Sequence, residues 1–369
     1  MAEGSPRALW DDYDVAMLDL DGVVYIGPDA VPGAPGHLAA ARRSGMRLAY
    51  VTNNASRPPS RVAAHLRELG IEVADEDVVT SAQAAARLLA ERLDDGAAVF
   101  VIGGEGLERA LTEAGLRPVQ DADEAPVAVV SGFNADLRWS TVIAGAILVR
   151  DGLPWVASNT DMTVPTPTGP GPGNGALVRA VAEFAGREPE VAGKPRPPLF
   201  EETLRRVGGR RPLVVGDRLD TDIEGGNATG YDTLLVMTGV TGPAELVGAP
   251  DALRPTYVGA DLGALGRPGE PVTAAAKATV GPWTARVESG VLRVTGAATG
   301  AATDGTRGDD AVARAELDQW WQAVAAAGWA HHDATGGPAD VSGLRVPGSV
   351  GLETEDPDEP AVPTTKTGA

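Results

Sequence analysis

Asp19-Leu20-Asp21-Gly22 follows directly on the apolar run Val15-Ala16-Met17-Leu18. An apolar run that ends in two acids and a glycine predicts a buried parallel strand that delivers carboxylates to its C-terminal edge. Open α/β sheets bind their ligands at that edge. This stretch therefore predicts an α/β fold and places a functional site at the end of its first strand.

A second acidic cluster follows another strand-like run. Asp217, Asp220 and Asp222 come after Pro212-Leu213-Val214-Val215-Gly216. If both clusters meet in one crevice, several carboxylates lie close together, and like charges that close cannot all stay ionised unaided. A hard cation with oxygen ligands, above all Mg²⁺, would resolve the conflict. The sequence therefore predicts a Mg²⁺ site, and a carboxylate beside Mg²⁺ suits attack on phosphorus.

Asp19 and Asp21 are the candidates for the chemical step. Gly22 lets the backbone turn, so the two side chains can separate although they lie two residues apart. Separation allows one carboxylate to act as a nucleophile and the other as a general acid and then a base. Taken alone, the two acids could also simply end a strand, so the assignment depends on the other motifs.

Two further segments offer groups that bind phosphate. Thr52 and Asn53 end a strand-like run and can donate to phosphate oxygens without adding charge, although the same residues could form a polar turn before a helix. Lys194 lies in Gly193-Lys194-Pro195. Pro195 restricts it to an extended backbone, so its ammonium could be held against a phosphoryl group. The alternative is a solvated surface lysine.

The acids of the second cluster have different predicted tasks. Asp217 is predicted to coordinate the metal, and Asp222 to orient Lys194 or a metal-bound water. An acidic helix N-terminus is also favoured by the helix dipole, so some of these acids could be simple caps.

Composition excludes several classes of protein. The 369 residues contain 31 Lys and Arg against 51 Asp and Glu, a net charge of −20, so no basic stripe exists to bind nucleic acid or an anionic membrane. The absence of cysteine excludes disulfides and thiolate catalysis and fits a reducing compartment. The first residues show no signal-peptide pattern, and no apolar stretch is long enough to span a bilayer. We therefore expect a cytoplasmic protein.

Short Val- and Leu-rich strands alternate with amphipathic helices from Asp14 onward, which predicts a parallel, helix-covered sheet. An insertion between the two acidic motifs, residues 81–173, has its own alternation and predicts a second α/β domain. It returns through the turn-rich segment 163–173. Predicted strands are Val15–Leu18, Leu48–Thr52, Val99–Ile102, Val127–Val130, Trp155–Ser158, Leu213–Gly216 and Thr233–Val236.

The C-terminal third has a different pattern. A hairpin is predicted around Glu288-Ser289-Gly290, followed by a helix over Ala311–Ala327 that carries Trp320 and Trp321 on one face. These tryptophans are expected to pack against the core or a second subunit. The Gly-, Pro- and acid-rich tail, residues 336–369, is expected to be disordered.

The ordered set Asp-x-Asp-Gly, Thr-Asn-Asn, Gly-Lys-Pro and Gly-Asp-x-x-x-Thr-Asp, each after an apolar strand, resembles the haloacid dehalogenase-like (HAD) phosphatases. It is most similar to their type IIA branch, which includes NagD-like, phosphoglycolate and glycerol-3-phosphate phosphatases. The resemblance implies a Rossmann-like HAD core over residues 1–80 and 174–270 and an inserted α/β type C2 cap over 81–173. The small α+β appendage over 277–335 is similar to a fragment of the acetyltransferase fold found in some actinobacterial members.

The resemblance also implies a role for each motif residue. Asp19 would be the nucleophile that becomes aspartyl-phosphate, and Asp21 the general acid and base. Thr52, Asn53 and Lys194 would hold the phosphoryl group. Mg²⁺ would bind Asp19, the Asp21 backbone carbonyl and Asp217, with Asp222 in support. In the cap, Asn159 and Asp161 would contact substrate hydroxyls or shape the loop that returns to the site.

The expected substrate is a small phosphorylated metabolite. Glycerol 3-phosphate leads because of the C-terminal appendage, and 2-phosphoglycolate, nitrophenyl phosphate and nucleotides are the alternatives. A phospho-receiver domain also uses clustered Asp, Thr and Lys, but it has no acid two residues after its phosphorylated Asp and no inserted cap. A third interpretation is a bifunctional protein whose appendage binds CoA or a partner, although the acetyl-CoA loop motif is missing. Dimerisation through the cap is common in the branch that the chain resembles, so a homodimer is one of the oligomeric states left open.

Overall fold

The structure is a computed structural model that describes residues 7–166, 169–296 and 307–347. Its helices are α1 (Leu9–Asp12), α2 (Ala34–Arg43), α3 (Pro59–Glu68), α4 (Ser81–Ala90), α5 (Glu105–Glu113), α6 (Trp139–Arg150), α7 (Asn174–Ala185), α8 (Pro197–Val207), α9 (Glu224–Thr229), α10 (Pro243–Val247) and α11 (Arg307–Thr335). Its strands are β1 (Val15–Leu18), β2 (Tyr25–Ile26), β3 (Asp29–Ala30), β4 (Arg47–Thr52), β5 (Val78–Thr80), β6 (Ala98–Ile102), β7 (Arg117–Val119), β8 (Ala128–Ser131), β9 (Trp155–Ala157), β10 (Thr163–Thr166), β11 (Gly169–Pro172), β12 (Glu190–Val191), β13 (Pro212–Gly216), β14 (Asp232–Val236), β15 (Tyr257–Gly259), β16 (Lys277–Val280), β17 (Trp283–Glu288) and β18 (Val291–Thr295).

The first sheet has six parallel strands in the order β15-β14-β13-β1-β4-β5. Both of its faces are covered, because Ala16 and Leu18 of β1 join one apolar cluster and Val15 and Met17 join another. A strand buried on both faces has a continuous apolar sequence, which is why β1 was predicted at its observed bounds. The chain order reverses beside β1, and its carboxyl end therefore opens into a crevice. The predicted α/β class is confirmed.

The second sheet has five parallel strands in the order β12-β9-β8-β6-β7. Helix α4 lies between the two sheets, since its buried alanines share one apolar cluster with Val15 of the first sheet and Val99 of the second. Helices α6 and α7 cover the other face of the second sheet, where Val142 and Val178 pack near Phe100.

Two elements that follow the predicted boundary at residue 173 lie on the second sheet. Helix α7 packs on the second sheet, and β12 pairs with β9 of that sheet. We therefore propose that this unit extends to Val191. The sequence marks where α7 begins and ends, at Asn174 and at Gly186 with its positive φ of 64°, but it does not show which sheet the helix covers.

The segment 163–173 is not only a turn-rich crossing. Thr163–Thr166 and Gly169–Pro172 pair as an antiparallel hairpin. Glycine and proline are rare in strands, so the sequence alone gave no strand signal here.

The C-terminal region packs against the first sheet. The predicted hairpin is confirmed as β17–β18, with positive φ at Ser289 and Gly290, and β16 adds a third antiparallel strand. Helix α11 is longer than the predicted Ala311–Ala327. Trp320 and Trp321 are buried in an apolar cluster that includes Val258 of β15, so they pack against the core of the same chain.

Part of the predicted disordered tail is ordered. Asp340 donates its N–H to the carbonyl of Gly290 at 2.8 Å and accepts from the N–H of Leu292 at 2.9 Å. Ala339 is buried beside them. Residues 348–369 of the predicted tail lie outside the described residues. Within the described ranges, no helix combines the length and apolar character needed to cross a membrane.

Candidate active site

Three neighbouring strands of the first sheet end in the predicted site residues. Strand β1 is followed by Asp19, β4 ends in Thr52 and β13 is followed by Asp217. Leu18 is in register with Val215 of β13 and with Tyr50 of β4, and the Asp19 N–H donates to the Val215 carbonyl at 2.9 Å. Because parallel strands end at the same edge, these side chains meet in the crevice at the carboxyl end of β1.

Lys194 joins them from the loop before α8. Its side chain is only 4% exposed. Its Nζ contacts the carboxylate of Asp19 and lies 2.8 Å from Oδ1 of Asp222. Burial alone would lower the pKa of Lys194, but the charges of Asp19 and Asp222 outweigh it and raise the pKa above its usual value. The ammonium therefore stays charged beside the candidate nucleophile.

The side-chain amide of Asn53 bonds the backbone of Lys194, and its predicted contact with phosphate stays a prediction. Its Oδ1 accepts the N–H of Lys194 at 2.8 Å, and its Nδ2 donates to the Lys194 carbonyl at 3.1 Å. Gly193 allows this approach, since a Cβ there would lie 2.5 Å from Oδ1 of Asn53. The amide of Asn53 is thus engaged with the backbone of Lys194, and we propose that it serves phosphoryl binding by holding Lys194 in place.

Thr52 is buried at the end of β4, and its hydroxyl accepts the N–H of Asn54 at 3.1 Å. This contact shapes the turn after the strand. The hydroxyl hydrogen is not used in that bond, so a direct contact of Thr52 with phosphate stays a prediction.

Three carboxylates form a candidate metal centre. Asp19, Asp217 and Asp222 each offer an oxygen, and these oxygens lie within 4.8 Å of one another. Oδ2 of Asp217 accepts the N–H of Val240 at 2.6 Å, whereas its Oδ1 is buried and has no hydrogen-bond partner among the residues that the structure describes. A buried carboxylate oxygen without a partner is costly, and a hard cation would satisfy it. The donor set therefore fits Mg²⁺.

The electrostatics agree with this interpretation. Burial, together with the charge of Asp19, raises the pKa of Asp217 to about 6. Asp222 is fully buried, and burial raises its pKa as well, against the opposing effect of Lys194. A bound cation would favour the ionised form of these acids.

Asp222 and Asp220 have different surroundings. Oδ2 of Asp222 accepts the N–H of Arg218 at 3.2 Å while its Oδ1 binds Lys194, an arrangement that fits the predicted orienting role. Asp220, by contrast, pairs with the guanidinium of Arg218 at 2.8 Å and is largely exposed. Asp217 and Asp222 therefore lie close to Asp19. Asp220, the third acid of the second cluster, lies apart from them.

Asp21 lies at the more open side of the crevice. Its carboxylate accepts a hydrogen bond from the hydroxyl of Tyr25, a residue that sequence reasoning missed. Although much of the residue faces solvent, the protein atoms around its carboxyl and the charge of Asp19 raise the pKa of Asp21 to about 6. A carboxyl with a raised pKa keeps its proton at higher pH, which suits a general acid.

A second missed element is the loop that follows β14. Thr238 donates its hydroxyl to the Gly22 carbonyl at 2.6 Å, and Thr241 donates its hydroxyl to the Asp217 carbonyl, also at 2.6 Å. With the N–H of Val240, these bonds join the loop to both acidic motifs. The signal was present in the sequence, because Thr238-Gly239-Val240-Thr241 follows a predicted strand just as the other polar motifs do.

The predicted cap residues Asn159 and Asp161 both form hydrogen bonds with Asn53 of the core. Asn159 donates from Nδ2 to the Asn53 carbonyl at 2.7 Å, and Asp161 accepts from Nδ2 of Asn53 at 3.1 Å. The Asp161 N–H also donates to Oδ1 of Asn159 at 3.1 Å. These bonds support the interpretation that both residues shape the loop against the core.

The chain is similar to known hydrolases and phosphatases. A family profile described as haloacid dehalogenase-like hydrolase matches residues 16–117, and one described as HAD-hydrolase-like matches residues 191–265. The D-glycerol 3-phosphate phosphatase of Mycobacterium tuberculosis is 46% identical over 259 residues, which cover 70% of this chain and 72% of that one. The acid sugar phosphatase of Staphylococcus aureus is 38% identical over 231 residues, 62% of this chain and 88% of that one.

Two solved phosphatase structures have a similar fold. The glycerol phosphate phosphatase of M. tuberculosis in complex with magnesium has a TM-score of 0.76 at 41% identity and covers 88% of this chain and 92% of its own. The 4-nitrophenylphosphatase of Thermotoga maritima has a TM-score of 0.64 at 31% identity, over 70% of this chain and 98% of its own. The likeness to the first extends beyond the two profile matches and includes most of the chain.

Proposed function

Since the chain belongs to the haloacid dehalogenase-like hydrolases and is a phosphatase, we propose that it hydrolyses small phosphomonoesters with Asp19 as nucleophile and Mg²⁺ as cofactor. The observation on which this depends is the convergence of Asp19, Lys194, Asp217 and Asp222 at one sheet edge. Hydrolysis of phosphate monoesters is among the slowest uncatalysed reactions, and it needs charge stabilisation together with in-line positioning.

In the first step, a carboxylate oxygen of Asp19 attacks phosphorus, and the bond from phosphorus to the ester oxygen breaks. The carboxyl of Asp21 gives its proton to the departing alkoxide, so the alcohol leaves neutral. Asp19 now holds the phosphoryl group as an acyl phosphate.

In the second step, the Asp21 carboxylate takes a proton from a water molecule whose oxygen attacks phosphorus. The bond from phosphorus to Asp19 breaks, inorganic phosphate leaves, and both acids return to their starting states. Throughout, Lys194 lies beside Asp19, where its charge can stabilise the phosphoryl oxygens. Asp19, Asp217 and the Asp21 carbonyl would hold Mg²⁺, with Asp222 in support, and a bound cation would add further positive charge at the phosphoryl group.

Glycerol 3-phosphate is the proposed substrate. The support is the D-glycerol 3-phosphate phosphatase of M. tuberculosis, whose structure has the same fold over most of this chain. The core supplies phosphoryl chemistry only, so the cap must select the alcohol. The cytoplasmic location and the homodimer both remain predictions.

Steady-state kinetics test the substrate directly. We expect the highest kcat/KM for glycerol 3-phosphate when it is compared with 2-phosphoglycolate, 4-nitrophenyl phosphate and AMP in the presence of Mg²⁺. A cap that binds the hydroxyls of glycerol would gain transition-state binding that the alcohols of the other esters do not match. Phosphate release from each substrate is the measurement.

EDTA is the control in the same assay, and it should stop hydrolysis of every substrate until Mg²⁺ is restored. A higher kcat/KM for one of the other esters would overturn the assigned substrate but not the phosphatase. Hydrolysis that is indifferent to chelation would contradict the assigned metal.

A further inference from the structure

Helix α11 packs behind the active site on two elements: the turn after β13, which contains Asp222, and helix α10. Its Trp320 and Val324 share an apolar cluster with Leu219 and Ile223, which flank Asp222 in the turn after β13. The C-terminal part of α11 packs on α10, the helix that follows residues 238–242, the loop that contacts Asp217. The appendage thus touches the elements behind the site, and none of its described residues is among the side chains of the site.

The contact between α11 and α10 is close and specific. Trp329 is buried, and its indole N–H donates to the Leu246 carbonyl at 2.8 Å. Gly328 lies against Val247, and a Cβ at Gly328 would come within 2.4 Å of the Val247 Cβ. Arg254 stacks on the Trp329 ring at 5.4 Å and pairs with Asp333 of α11. No larger residue than glycine fits between the helices as they stand.

Helix α10 in turn limits the movement of the 238–242 loop, which contacts the side chain of Asp217. Residues 238–242 run directly into α10, and within them the Val240 N–H donates to Oδ2 of Asp217 at 2.6 Å. A Cβ at Gly239 would lie 1.9 Å from the same oxygen, so this loop has little freedom relative to Asp217. A shift of α10 would therefore move the donors that orient the carboxylate. Groups that orient a metal ligand tune its affinity for the metal.

We propose that Gly328 and Trp329 are positioning residues for the metal site: through α10 and the 238–242 loop they hold Asp217 in the orientation that binds Mg²⁺. This role rests on the proposed function, because it takes Asp217 as a metal ligand. It gives the C-terminal appendage a task in the phosphatase reaction that needs neither CoA nor a second active site.

Two variants with matched controls test the proposal on the full-length protein. Gly328→Ala adds one methyl group at the helix contact, and Trp329→Phe removes the indole donor and keeps an aromatic ring. Gly337→Ala is the control for the first, since a Cβ there meets nothing within 4 Å. Trp283→Phe is the control for the second, because Trp283 also donates its indole N–H to a backbone carbonyl, that of Glu316 at 2.8 Å, in the same apolar cluster.

The readout is the Mg²⁺ dissociation constant from isothermal titration calorimetry, with the unfolding temperature measured alongside. Direct partners of metal ligands change affinity by about 10- to 100-fold, and for these more distant residues we expect weakening of about threefold to tenfold. Both controls should bind Mg²⁺ as the unaltered protein does, even though Trp283→Phe loses a comparable hydrogen bond. Should Gly328→Ala not fold, the tryptophan pair decides the question.

Equal Mg²⁺ affinity in all variants would overturn the proposal, and so would an equal loss in the two tryptophan variants, since that would reflect stability alone. Asp217→Asn separates this failure from that of the proposed function. If it binds Mg²⁺ as tightly as the unaltered protein, the metal site itself is misassigned. If it loses binding while Gly328→Ala and Trp329→Phe do not, only the positioning role is wrong.

Discussion

Asp19→Asn is expected to lower kcat by about 10⁴-fold or more, which corresponds to roughly 5 kcal/mol of transition-state stabilisation. An amide oxygen is too weak a nucleophile to form the acyl phosphate, and Asp222, the other carboxylate that pairs with Lys194, is fully buried. The fold should persist, because asparagine fills the same volume and can still accept a hydrogen bond from Lys194. Phosphate release and circular dichroism are the two measurements.

Asp220→Asn is the matched control for that substitution. Asp220 belongs to the second acidic cluster in the sequence, but it is largely exposed and pairs with Arg218 at the surface. We expect its kcat to stay close to that of the unaltered protein. Retained turnover in Asp19→Asn would remove the covalent mechanism.

Lys194→Met is expected to lower kcat by about 10²- to 10³-fold, the effect of removing one preorganised charge from a phosphoryl-transfer site. Methionine is unbranched and only one atom shorter than lysine, so packing changes little. The buried carboxylate of Asp222 loses its partner, and breaking a buried ion pair in this way costs about 3–5 kcal/mol of folding stability. Kinetics and denaturant unfolding measure the two effects separately.

The double variant Lys194→Met/Asp222→Asn distinguishes catalysis from stability. It removes the uncompensated charge, so the free energy of unfolding should recover most of the loss, while kcat should stay low. Lys277→Met, at an exposed position on β16, is the control and should change neither quantity. A double variant that regains activity along with stability would show that Lys194 has only a structural role.

The sequence predicts the core of the site because each motif is local. A buried strand has to end, and the polar residues that follow β1, β4 and β13 are visible as soon as those strands are recognised. That they meet follows from the parallel arrangement alone, since parallel strands end at one edge. This logic would also have found the 238–241 loop, had it been applied to the end of β14.

The tasks of individual groups depend on contacts between distant parts of the chain. Asn53 matches the phosphate-binding motif, yet its amide bonds the backbone of Lys194, 141 residues away. The partner of Asp217 is a backbone N–H, 23 residues on, which has no side-chain signature. Such bonds are fixed by tertiary packing, and no periodicity or composition in the sequence encodes them.

Helix α11 shows how packing overrides local preference. The predicted helix ends at Ala327, directly before Gly328, and glycine disfavours a helix interior by about 1 kcal/mol relative to alanine. The helix instead continues to Thr335, because Gly328 lets α11 approach Val247 and Trp329 is buried just beyond it. Here a glycine marks a close contact between helices rather than a terminus.

The central claim, that Asp19 accepts the phosphoryl group, is tested most directly by trapping it there. The variant Asp21→Asn cannot activate water, while 4-nitrophenyl phosphate has a leaving group that needs little protonation, so the first step should outrun the second. After acid quenching and proteolysis, mass spectrometry should find stoichiometric phosphate on the peptide that contains Asp19, and on Asp19 itself. Release of nitrophenol without phosphate on the protein, or phosphate on another residue, would contradict the account.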